Sequence, residues 1–162
     1  MQQTVRPVTS VAWQRPRPAV PQLTPIVRPT IGGLELGKVL LVGVGGFIGS
    51  ILRYLIGGLV QMAVPASTFP FGTLVVNVTG CFAIGCISQL VEGQGGFGPN
   101  ARAILVVGIL GGYTTFSAFG NETINLLRDS QRLAAVMNIG ANVVLALCAV
   151  WLGRLTAQVI WR

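Results

Sequence analysis

The sequence predicts an all-α membrane protein of four transmembrane helices, the third of them broken, behind an amino-terminal tail. Three observations carry this. Of the 162 residues, 52% are hydrophobic and only 9% are charged, against roughly 25% charged residues in a soluble globular domain. Four apolar stretches, about Val39 to Val60, Gly72 to Val91, Ala103 to Leu127 and Ala134 to Gly153, each approach the ~20 residues that cross a hydrocarbon core ~30 Å thick. They occupy most of the chain, which leaves little room for the alternative of buried soluble helices. Inside the third stretch, the run GGYTTFSAFGNET from Gly111 to Thr123 sets glycines, hydroxyls and Glu122 where a lipid-facing helix carries apolar side chains. Four short helices enclose no wide site on their own, so more than one copy is expected to act together.

Residues 1–34 form a separate block rich in Pro and Arg. Frequent proline denies it a helix, and it has little apolar surface to bury, so it reads as a disordered or extended tail. Residues 35–162 are then the four-helix membrane domain.

The first span holds Gly45, Gly46, Gly49 and Ser50, two overlapping small-xxx-small patterns that let helix backbones approach closely in lipid. Arg53 lies inside this span. An intramembrane charge costs a few kcal/mol or more unless it reaches water or a partner, so Arg53 either snorkels to the interface or stands at the mouth of an anion pathway. The second span places Thr73, Asn77, Cys81 and Ser88 roughly along one stripe. An amide at Asn77 must be hydrogen-bonded or wetted, as helix glue or as part of a polar route. The segment EGQGGFGPN that follows reads as a loop.

In the third span Gly111 and Gly112 weaken the helix, and Thr114, Thr115 and Ser117 can satisfy freed backbone groups with hydroxyls. A break at membrane depth turns carbonyls out of the helix, where they can coordinate an alkali cation. Phe116 and Phe119 share a face just beyond it. Ring edges carry partial positive charge and attract an anion, although two such rings can equally be packing. In the fourth span Asn138 and Asn142, four residues apart, project from one face.

The formal net charge of +7 comes from basic residues that flank spans, as membrane anchors do, and no nucleic-acid motif accompanies them. Near the spans, Arg28, Lys38, Arg102, Arg154 and Arg162 fall on one side and Arg128 and Arg132 on the other. That bias favours both termini in the cytoplasm. Cys81, Cys86 and Cys148 are odd in number and lack metal or redox spacing. The chain has no His, which removes the commonest general base.

The runs GGFIGSILRY, FGTLVVNVTGCF and GILGGYTTFSAF, in this order and spacing, resemble the Fluc (CrcB) family of fluoride channels, from about Val39 to the end of the fourth span. The resemblance implies an antiparallel dimer with two narrow fluoride pathways, in which Phe116 and Phe119 line the pathways and Asn77 and Ser117 belong to the polar track beside them. It also implies a central structural Na⁺ held by the backbone carbonyls of Gly111 and Thr114 from both subunits. Arg53 matches the family's basic residue in the first span, and Glu122 its acidic residue after the second Phe. The chain departs from the family at Ala118, where Thr is common, and in the fourth span, where Asn142 aligns with a usual Ser and Asn138 with a frequent aromatic.

The expected function is therefore a passive fluoride exporter of the cell (inner) membrane, not an enzyme, with fluoride, membrane lipid and a second copy of itself, or an oppositely inserted paralogue, as partners. The rivals are a proton-coupled four-helix drug exporter and a scaffold subunit. The first needs a carboxylate inside the first span, where the nearest acid, Glu35, precedes the span.

Overall fold

The computed structural model describes residues 35–94 and 97–161. The predicted tail therefore lies outside the described residues, as do residues 95 and 96 of the predicted loop. Every described element is helical: α1 (Leu36–Met62), α2 (Phe71–Gln94), α3 (residues 99–113), α4 (Phe116–Arg128) and α5 (Arg132–Ile160). Four spans are long and apolar enough to cross a membrane, the third formed by α3 and α4 together. Each helix runs past the apolar stretch that predicts it. The 27 residues of α1 measure roughly 40 Å at 1.5 Å per residue, so its ends reach beyond the hydrocarbon.

Little of this apolar surface is buried within one chain. Leu40, Phe47, Leu55, Val144 and Leu147 all face outward, as suits a lipid solvent rather than water. The chain is a multi-pass membrane protein.

The bundle is built of two close pairs. α1 packs on α3, and α2 on α5, with α4 lying against α5. Glycines set the first contact, as the small-residue pattern predicts. A Cβ on Gly49 would collide with the Ile109 carbonyl, and one on Gly112 would meet the Gly46 carbonyl oxygen at 2.6 Å. α2 and α5 meet the same way, with Gly153 against the Phe82 backbone and Gly85 against Val150.

Residues Ala103–Leu110 of α3 are wound as a π-helix, in which each bond reaches one residue further than in an α-helix. This wider winding turns the residues that follow, so faces read at 3.6 residues per turn do not carry across it.

Side chains fix the connections at one end of the bundle. Gln61 donates from Nε2 to the Ser67 and Phe69 carbonyls at 3.2 and 3.3 Å and accepts from Gly72 N–H at 3.3 Å. Thr68 Oγ1 donates to Gln131 Oε1 at 2.7 Å, joining the two loops there. After α4, Ser130 adopts φ 59°, with Gln131 N–H bonded to the Leu126 carbonyl and Ser130 N–H to that of Leu127. This is a Schellman end with serine in the place glycine usually takes.

Candidate functional site

The third span breaks two residues after the glycines that predict it. Gly111 is helical at φ −64°, ψ −38°, and Gly112 serves as the close approach to α1. The extended residues are Thr114 (φ −78°, ψ 157°) and Thr115 (φ −151°, ψ 114°). In an unbroken helix the Thr115 N–H would bond the Gly111 carbonyl. Here it donates to Asn77 Oδ1 at 2.9 Å, and Asn77 Nδ2 donates back to the Thr115 carbonyl at 3.2 Å. The amide of α2 thus replaces the missing backbone partner.

Hydroxyls do the rest, as the sequence predicts. Thr115 Oγ1 accepts from Ala118 N–H at 3.1 Å and caps α4. Its oxygen also lies 3.2 Å from Ser117 Oγ. Thr114 Oγ1 donates to the Leu110 carbonyl at 3.0 Å. A cap of this kind is worth about 1 kcal/mol.

Asn77 continues into α5. Its Nδ2 donates to Asn142 Oδ1 at 3.0 Å, and Asn142 Nδ2 donates to Asn138 Oδ1 at 2.9 Å and to the Asn138 carbonyl at 3.1 Å. Asn138 is fully buried. Its Nδ2 donates to Thr123 Oγ1 at 2.9 Å, and that hydroxyl donates to the Phe119 carbonyl at 2.8 Å.

Phe116 and Phe119 are neighbours, with ring centroids 5.3 Å apart and planes tilted by 57°. They differ in setting: Phe119 is 8% exposed and Phe116 82%. Asn77, Gly111, Thr114, Thr115, Phe116, Phe119 and Asn142 come together along one open groove of about 460 Å³, walled otherwise mostly by apolar residues. Ser117 is exposed and does not line it.

Arg53 and Glu122 line a second recess of about 540 Å³, with Ser50, Gln61 and Thr73. Thr115 lines both recesses, so the two meet at the break. Glu122 Oε1 accepts from Thr73 Oγ1 at 2.6 Å, while Oε2 is buried without a hydrogen-bond partner among the described residues. Tyr113, buried at the end of α3, shares a 2.8 Å hydroxyl contact with Thr79.

Thr123 carries no clear signal in the sequence. Thr115 is legible there as a hydroxyl at the break and Thr73 as part of the polar stripe of the second span, but the partners of Thr115, Thr123 and Thr73 are 38, 15 and 49 residues away, so only packing selects them.

A model of the CrcB-like (camphor resistance) protein family matches residues 40–154. The chain belongs to that family. The CrcB-like match spans all four membrane helices. Among curated relatives, the fluoride-specific ion channel FluC of Rhizobium meliloti is 47% identical over 119 residues, 73% of this chain and 94% of its own. FluC 1 of Methanosarcina acetivorans is 44% identical over 74% of this chain and 89% of its own. FluC of Nitratidesulfovibrio vulgaris is 40% identical over 76% of this chain and 98% of its own.

Proposed function

We propose that the chain is a fluoride-selective channel, not an enzyme, which lowers cytoplasmic fluoride by passive export as an antiparallel dimer in the cell inner membrane. The observation that carries the ion's identity is 40–47% identity, over about three quarters of the chain, to proteins named as fluoride-specific channels. The geometry supports a pathway at the break. Fluoride is small and strongly hydrated, so a narrow route must replace its water with weak donors that admit the ion without trapping it. Phe116 and Phe119 supply ring edges, Asn77 and Asn142 the polar wall of the same groove, and Ser117 a hydroxyl beside it. Arg53 adds positive potential in the adjoining recess, where Glu122 and Thr73 form its polar lining.

The groove is open along one side and rimmed by the exposed Phe116, which supports completion by a second copy. The flanking charge bias is small enough to suit a homodimer inserted both ways; an oppositely inserted paralogue is the other outcome of cysteine-accessibility labelling.

The backbone at the break fits a sodium ion. Gly111 is exposed, its carbonyl has lost the Thr115 N–H to Asn77, and Thr114 is extended beside it. Two such carbonyls from each of two subunits would hold Na⁺, a hard cation that takes oxygen ligands. When bound, the ion would supply fixed positive potential at the dimer centre.

Glu35 pairs with Lys38 at 2.8 Å at the start of α1, outside the hydrocarbon, which speaks against the proton-coupled exporter. Fluoride efflux from proteoliposomes, with chloride as control, tests the proposal. Fluoride release without chloride release is expected. Absence of fluoride release from correctly folded protein would overturn it.

A further inference from the structure

One path among the hydrogen bonds around the break keeps a single sense from donor to acceptor. Thr115 N–H donates to Asn77, Asn77 Nδ2 to Asn142, Asn142 Nδ2 to Asn138, Asn138 Nδ2 to Thr123, and Thr123 Oγ1 to the Phe119 carbonyl. Each amide receives on oxygen and gives on nitrogen. Reversing any one of them would set oxygen against oxygen and nitrogen against nitrogen. Successive bonds of one sense polarise each other, most strongly where water is excluded.

The path leaves the residue that caps α4, crosses α2 and α5, and returns to the first turn of α4. That turn carries both Phe116 and Phe119. Thr115 holds its start through Asn77, and Asn138 of α5 holds Thr123, one turn further along α4, whose hydroxyl bonds the Phe119 carbonyl within the same helix. Asn138 has no exposed surface and does not line the groove, so it meets no ion.

We infer that Asn138 and Thr123 are positioning residues for permeation: they complete the hydrogen-bond path that ties the first turns of α4 to α5, and so set where the Phe119 ring meets the groove. This rests on the proposal that Phe119 lines the fluoride pathway. Helix glue alone would predict loss of folded protein. Positioning predicts a change in how well each folded channel conducts.

Single-channel recording in planar bilayers separates these. Thr123→Val is nearly isosteric and removes the hydroxyl, whereas Thr123→Ser keeps it. Asn138→Leu removes the preceding link. Asn138→Leu and Thr123→Val are expected to lower unitary fluoride conductance about tenfold, the factor that one buried hydrogen bond governs, and Thr123→Ser to keep it at the parent value. If Asn138→Leu does not assemble, the Val and Ser pair at Thr123 decides. Parent conductance in both Asn138→Leu and Thr123→Val, with only fewer active channels, would overturn the positioning role. So would equal loss in Thr123→Ser and Thr123→Val. Phe119→Ile recorded alongside isolates the underlying reading: parent conductance there removes the pathway assignment itself, whereas loss there with none in the other variants removes the positioning role alone.

Discussion

Asn77 grips Thr115 by both ends of its amide: Oδ1 accepts from the Thr115 N–H at 2.9 Å, and Nδ2 donates to the Thr115 carbonyl at 3.2 Å. One side chain thus gives the Thr115 N–H the acceptor that the broken third span cannot supply, and adds a second donor to its carbonyl. Asn77→Asp keeps the acceptor and removes the donor, leaving carboxylate oxygen facing the Thr115 carbonyl and Asn142 Oδ1. Each buried acceptor left unpaired costs about 1–3 kcal/mol. Fluoride efflux is expected to fall more than tenfold, with a lower thermal midpoint in detergent. Parent efflux at neutral pH would show that the break does not need this clamp.

The two phenylalanines should separate stability from flux. Phe116 is 82% exposed and Phe119 only 8%. Phe116→Ile should leave protomer stability within about 0.5 kcal/mol, as surface changes do. Phe119→Ile should cost about 1–2 kcal/mol through lost packing. Both should suppress fluoride efflux, because the ring edges are gone. Efflux at the parent level in the double variant would remove both rings from the pathway.

Adjacent glycines should respond in opposite ways. A Cβ on Gly111 finds nothing nearer than the Val106 carbonyl oxygen at 3.8 Å, whereas one on Gly112 meets the Gly46 carbonyl oxygen at 2.6 Å. Gly111→Ala should therefore fold normally, helped by the better helix propensity of Ala. Gly112→Ala should force α1 and α3 apart at a cost of about 1–3 kcal/mol. Expression and thermal midpoints of the two variants check this, and equal tolerance at both positions would contradict the close approach.

Ser130 holds a left-handed conformation that glycine adopts without strain. Ser130→Gly should stabilise the protein by about 1 kcal/mol and leave efflux unchanged. A lowered thermal midpoint would show that the hydroxyl matters more than the backbone angle.

If the Gly111 and Thr114 carbonyls hold sodium, the folded dimer should be more stable with it. Linkage gives about 2.7 kcal/mol at a hundred times the dissociation constant. The thermal midpoint should rise with sodium concentration at fixed ionic strength set by a bulky organic cation. A midpoint independent of sodium would remove the site.

The number of spans, their order and the interruption of the third were all decided by the sequence alone. Charge is so scarce, and apolar runs so long, that no other solvent than lipid suits them. The glycine pattern of the first span likewise foretold a close helix contact, because only small residues allow one. Tertiary structure decided what each polar group does. Helical spacing places Asn138 and Asn142 on one face, but it cannot say that Asn77 stands opposite them or that Thr123 receives the last amide, since those partners lie on other helices. The break itself falls at Thr114 and Thr115 and not at the glycines. A glycine in the middle of a span can open a helix or admit a neighbouring backbone, and the approach of Gly46 gives Gly112 the second role. The extended conformation then settles where an amide on α2 can replace the helix's own carbonyl.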